Sequence, residues 1–218
     1  MGMIDRAELT KRRAAGEHLF ADSEFTGADL ARLDLSECRF ENCNFRGANL
    51  TGANLSETRF QRCQAAGLKL RGTDLADAVI ETSDLTTADF TGARIGSARF
   101  QGCRLSGANF TEATGIDFAF TDCLLVSANL RRINFRKSRL LGLDMSEAEL
   151  VEADFRDAVL ERCSLREANL THARFKGADL RGCDLGPIAL ANAPLFKGAI
   201  ISKAQASELL QGFGIKVA

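Results

Sequence analysis

From Phe20 to Ile200, every fifth residue is apolar or small, in the run Phe20, Phe25, Leu30, Leu35, Phe40, Phe45 and onward to Leu190, Leu195 and Ile200. Of these 37 positions, 35 are Phe, Leu, Ile or Met, and the exceptions are Ala65 and Gly115. A period of five matches neither the 3.6-residue turn of a helix nor the two-residue alternation of a strand. Sustained without a slip, it predicts a repeat architecture, and repeat architectures more often bind than catalyse.

A second pattern lies inside the first. With the central apolar residue written as i, position i−2 is Ala 17 times and Cys 7 times in the 37 steps. Position i−1 is often Asp, Asn or Arg, as in Ala28-Asp29-Leu30 and Ala48-Asn49-Leu50, and i+1 and i+2 are mostly small or polar. Residues i and i−2 therefore point inward and the other three outward. A small residue beside a large one suits a narrow, tightly packed coil.

The cysteines supply the number of sides. All seven are at i−2, and six of them (Cys43, Cys63, Cys103, Cys123, Cys163 and Cys183) share one phase at a spacing of 20. Phe20, Phe40, Phe60, Phe100 and Phe120 share another, as do Phe135, Phe155 and Phe175. Four five-residue sides per turn are implied, with like residues stacked. At a strand spacing of ~4.8 Å, about nine coils would run roughly 43 Å.

The repeated A-[DN]-[LF]-x-x pattern resembles the pentapeptide repeat family. That resemblance implies an all-β solenoid, a right-handed quadrilateral β-helix. It spans residues 18–202, with residues 1–17 as an N-terminal cap and residues 203–218 as a C-terminal capping helix and short strand. The phase leaves no room for an inserted loop unless its length is a multiple of five. At Ala65 the expectation is that Leu68, three residues on, fills the space. At Gly115 two readings stand: Phe118 fills the void, or the glycine marks a backbone bulge.

At the front, Asp5 is placed to open a short helix over the first coil, and Lys11-Arg12-Arg13 reads as a solvated face. At the back, Pro187 and Pro194 mark fraying of the repeat. Ser202 is a helix N-cap candidate, Gly212 or Gly214 a stop, and Ile215-Lys216-Val217 a short strand. An open solenoid end must be covered. Leu209, Leu210, Phe213, Ile215 and Val217 exceed what a lid needs, which favours a lid that also forms a two-fold homodimer contact over a purely monomeric one.

Charge and chemistry narrow the function. The chain carries 28 basic and 29 acidic residues, so no basic excess argues for direct nucleic-acid binding. Its two histidines, His18 and His172, sit in no motif, and no phosphate loop or metal-ligand spacing is present, so neither an enzyme nor a cofactor is expected. The cysteines read as buried, reduced thiols replacing alanine, although stacked pairs lie within disulfide reach. No stretch is apolar over the ~18 residues needed to span a membrane, and the charged start lacks a signal-peptide core, so a cytoplasmic protein is expected. On the side centred on Leu35, Leu55 and Leu75, the outward residues include Asp34, Glu37, Glu57, Asp74 and Asp77 and no base.

The tail carries a narrower resemblance. Gln205-Ala206, Leu209-Leu210 and Gly214-Ile215-Lys216-Val217 are similar to the C-terminal end of the Qnr quinolone-resistance proteins, and Gly115-Ile116-Asp117-Phe118 is similar to a step in the same group. The uninterrupted repeat looks closer to the loopless MfpA type, and MfpA and AlbG are relatives with the same theme. This resemblance implies a homodimer joined through its C-termini, which imitates duplex DNA and binds DNA gyrase or topoisomerase IV. The acidic side would then be the partner surface. The alternative is a repeat scaffold for an unrelated protein partner.

Overall fold

The computed structural model describes residues 2–188, 190–212 and 214–216. They fall into two compact units, Met1–Leu124 and Leu125–Ala218. In the first, helix α1 (Arg6–Ala14) precedes six strands: β1 (Leu19–Ala21), β2 (Arg39–Glu41), β3 (Arg59–Gln61), β4 (Val79–Glu81), β5 (Arg99–Gln101) and β6 (Ala119–Thr121). Each pairs in parallel with the next at an offset of 20 residues, so Phe20 lies opposite Phe40 and Phe40 opposite Phe60. The other three sides are joined by single bridges at the same offset, among them Asp29 to Asn49, Asp34 to Asn54 and Asn44 to Gln64. The second unit holds β7 (Arg139–Leu141), β8 (Val159–Ser164), β9 (Asp179–Asp184), a 3₁₀ turn over Leu190–Phe196 and helix α2 (Lys203–Gly212). Both units are lengths of right-handed quadrilateral β-helix, one strand per coil.

Each position of the five-residue step has a physical reason. Positions i and i−2 are buried almost throughout. At i−1, an Asp or Asn Oδ1 accepts a hydrogen bond from the i+1 backbone N–H, as from Ser36 to Asp34 (3.1 Å), Ser56 to Asn54 (3.1 Å) and Thr91 to Asp89 (3.0 Å). This side-chain turn supplies the acceptor that the corner would otherwise lack. At i+2 the backbone is left-handed, with φ of 58° at Arg32, 61° at Glu37 and 57° at Asp77. That conformation is reached at least cost by Gly, Asn and Asp.

The core is a set of aromatic stacks. Ring centroids are 4.5 Å apart for Phe25 and Phe45, 4.9 Å for Phe100 and Phe120, and 4.9 Å for Phe155 and Phe175. All seven cysteines are buried and free. The thiol of Cys43 donates to the carbonyl of Phe20 at 3.2 Å, and that of Cys63 to Phe40 at 3.4 Å. Burial pushes the Cys38 thiol up to about 11 and raises Cys183 as well, so these groups stay protonated.

The two exceptions to the repeat differ. Leu68 is buried beside Ala65, and the space left there is about 10 Å³, at the lower limit for one water. At Gly115 neither expectation holds: Phe118 does not fill the space, the 20-residue register continues on both sides without a bulge, and the backbone instead comes close to Gly96. The residue is exposed, and a Cβ on it would lie 2.5 Å from the Gly96 nitrogen. Phe118 is only half-buried and meets Phe120 edge-on at 5.9 Å.

Three expectations are corrected. The phase slips in the last coil: Leu180 N–H donates to the carbonyl of Ile200, twenty residues on, where Phe155 donates to Arg174, nineteen on. The 3₁₀ turn containing Pro194 takes up the extra residue, and Phe196 rather than Leu195 stacks on Phe175, at 4.9 Å. Ile215 and Lys216 form no strand, and Val217 lies outside the described residues. The Lys11-Arg12-Arg13 run is not a uniformly solvated face. Arg12 lies over the Phe20 ring at 4.9 Å and pairs with Glu17, and Arg13 donates to the carbonyl of Ser36 at 3.4 Å. These guanidinium groups help to close the first coil.

Candidate interaction surface

The repeat fixes where outward side chains can go, so surface chemistry can be read side by side. Between Leu19 and Leu124, three of the four sides carry equal numbers of acids and bases: four of each, two of each and three of each. The fourth, centred on Leu35, Leu55, Leu75, Ile95 and Gly115, carries six acids and one base. The unit's imbalance is therefore confined to one side.

The five acids expected there do two different jobs. Asp34 and Asp74 stand at i−1 and serve the fold. Asp34 Oδ1 accepts from Ser36 N–H (3.1 Å), Ser36 Oγ (2.7 Å) and Asn54 Nδ2 (3.0 Å), and the Ser36 hydroxyl bond is the leading cause that holds its carboxyl below the ordinary range. Asp74 Oδ1 accepts from Ala76 N–H (3.1 Å), and its Oδ2 lies 3.4 Å from Arg94, the side's one base. Glu37, Glu57 and Asp77 stand at i+2, exposed, with φ of 61°, 58° and 57°. Their backbone N–H groups donate to Ser56, Ala76 and Gly96 of the following coil at 2.8–2.9 Å. No hydrogen bond or ion pair among the described residues engages their carboxylates.

The acidic column continues beyond the three coils centred on Leu35, Leu55 and Leu75. Asp117, also left-handed (φ 59°) and exposed, extends the same column past Ser97. Its 20-residue phase was the available signal. Beside it, Ile116 is 75% exposed. Periodicity could not reveal that, because i+1 carries no apolar rule to break.

The C-terminal residues form a second region. Ser202 caps α2, with its Oγ accepting from Gln205 N–H (3.2 Å) while Gln205 Oε1 accepts from Ser202 N–H (2.7 Å). Gln205 Nε2 also donates to the carbonyls of Leu180 (2.8 Å) and Cys183 (2.7 Å), closing part of the last coil's open edge. No described residue of α2 is buried. Leu209 is half-buried, and Leu210 and Ile215 are exposed. Phe213 and Val217, the other two expected dimer residues, lie outside the described residues.

Among the described residues no cluster of His, Cys, Asp or Glu could hold a metal ion, and no helix is long and apolar enough to cross a membrane. The family model described as a pentapeptide repeat region matches residues 18–90 and 33–110, and that of pentapeptide repeats in eight copies matches 119–150 and 148–186. No curated protein sequence matches the chain. Two trypsin-treated variants of QnrB1, a plasmid-mediated fluoroquinolone resistance protein, match with TM-scores of 0.82 at 25% and 26% identity. Each match covers 92% of this chain, and 100% and 99% of theirs. Full-length QnrB1 matches with a TM-score of 0.71 at 24% identity, over 90% of this chain and 100% of that one.

Proposed function

Because this chain belongs to the pentapeptide repeat family, whose coils leave outward side chains free to vary, we propose that it binds a type II topoisomerase, DNA gyrase or topoisomerase IV, in place of duplex DNA. The observation that carries this reading is the column Glu37, Glu57, Asp77 and Asp117, exposed on the one side of its unit where acids outnumber bases. Stacked coils repeat at ~4.8 Å, so the column offers negative charge at that spacing, with one gap at Ser97, to a surface built for phosphates. The likeness to QnrB1, a protein that gives resistance to a fluoroquinolone, supports a topoisomerase over other basic partners. In this reading binding modulates the enzyme or protects it from drugs that act on its DNA complex.

The uncovered apolar residues of the C-terminal segment support a homodimer through the C-termini, since exposed Leu210 and Ile215 gain by burial against a second copy. The direct test is a gyrase supercoiling and cleavage assay with and without a fluoroquinolone. The reading requires a dose-dependent change in supercoiling or in drug-induced cleavage. No effect at any concentration would leave a repeat scaffold with a different protein partner.

A further inference from the structure

Ile116 is 75% exposed and stands next to a shallow depression of about 330 Å³ lined by Ala76, Arg94, Gly96, Thr114, Gly115 and Ile116 itself. The i+1 column that leads to it is built of small residues: Ser36, Ser56, Ala76 and Gly96. Ile116 is the first large side chain in that column, and it is apolar. The step is held in place by the ladder, with Ile95 N–H donating to Thr114 O (2.8 Å) and Ser97 N–H donating to Ile116 O (2.9 Å). Gly115 lets the backbone rest against Gly96, where a Cβ would meet its nitrogen at 2.5 Å. The prominence is therefore presented by a fixed backbone, which lowers the ordering cost of using it in a contact.

We propose that Ile116 is the apolar anchor of this surface, and that the depression receives a protein segment which brings an apolar pocket flanked by Lys or Arg. The charge around it selects that occupant. Asp77 and Asp117 are exposed on the same side, and Arg94, which borders the depression, lies 3.4 Å from the Asp74 carboxylate. A phosphate-bearing or acidic partner would meet unbalanced acids, whereas a basic one gains from them. A large side chain that fills a desolvated pocket and is ringed by weaker contacts is the usual form of an interface anchor. This inference rests on the proposed topoisomerase reading and specifies which part of the enzyme's basic surface is used: one that also offers an apolar pocket.

The test uses full-length wild type, Ile116→Ser and Ile116→Leu against purified DNA gyrase, with dissociation constants measured at several salt concentrations. Thermal melting confirms that all three fold alike. Ile116→Ser is expected to weaken binding by about tenfold or more, the scale at which an anchor residue counts. Ile116→Leu is expected to bind within about threefold of wild type, since the pocket reads size and apolarity. The salt dependence is expected to be the same for all three, because the lost contact is uncharged. Equal binding by wild type and Ile116→Ser would overturn the anchor while leaving the topoisomerase reading in place. No binding by wild type would overturn both.

Discussion

The same phase of the repeat carries opposite charge in the two units. Centred on Leu35, Leu55, Leu75, Ile95 and Gly115, it bears six acids and one base; centred on Phe135, Phe155 and Phe175, it bears five bases (Arg136, Lys137, Arg156, Arg174 and Lys176) and two acids. The difference is concentrated at i+1 and i+2. Ser36, Ser56 and Ala76 at i+1 correspond to Arg136, Arg156 and Lys176, and Glu37 at i+2 corresponds to Lys137. The two acids on this side of the second unit are occupied. Asp154 is buried between Arg156 (2.7 Å) and Arg174 (3.0 Å), and Asp157 lies 3.7 Å from Arg136. Beneath both surfaces run the same stacked apolar columns. The fold thus dictates the interior and the turns but not the outward charge, so the column of exposed acids Glu37, Glu57, Asp77 and Asp117 is a property of this sequence rather than of its architecture.

If the interiors are equivalent, truncation should cost the same in each. Phe100→Ala and Phe155→Ala are each expected to lose ~3–5 kcal/mol in chemical denaturation, the usual range for a buried Phe. A loss under about 1 kcal/mol for either would show that its column is not packed like the other's.

The surfaces should respond unequally. Asp154→Asn leaves Arg156 and Arg174 without their carboxylate and is expected to cost about 1–3 kcal/mol, while Glu57→Asn is expected to stay within about 0.5 kcal/mol. Similar costs for the two would erase the distinction between an acid that serves the fold and one that does not.

A smaller effect follows from the carboxyl groups held low. Asp154 is held mainly by the Arg156 bond and Asp179 by the Arg181 bond, and both fold with lowered pKa. Their stabilisation is fully present above the unfolded value near ~3.9 and is lost as pH falls through the folded values below it. The midpoint of thermal unfolding should therefore hold steady from neutral pH to about 5 and drop below about 4. Asp154→Asn should shrink that drop.

The sequence made the fold legible because burial imposes a rule at i and i−2 that side-chain size alone reveals. It also pointed to the acidic side, since phase assigns each residue to a side. What it hid was local. Asp34 and Glu37 look alike as acids, yet one is spent on a turn and the other is free, a distinction set by the i−1 and i+2 backbone geometry. The one-residue slip before Ile200 was hidden because Leu190 and Leu195 kept the apolar phase, although the 3₁₀ turn around Pro194 had moved the packing to Phe196. At the two ends, α1 buries Leu9 completely, whereas α2 buries none of its described residues. Whether a helix is amphipathic shows in sequence, but whether its own chain covers it does not.

The central claim is that the open acids of the first unit carry partner binding. The most direct measurement compares the affinity for DNA gyrase of wild type, of Glu37→Asn/Glu57→Asn/Asp77→Asn, and of Lys137→Asn/Lys176→Gln as a control in the second unit. Asn tolerates the left-handed backbone at i+2, so charge is removed without new strain. The account predicts that the acid variant binds at least about tenfold more weakly with a flatter salt dependence, while the control stays close to wild type. Undiminished binding by the acid variant, with its salt dependence intact, would contradict it.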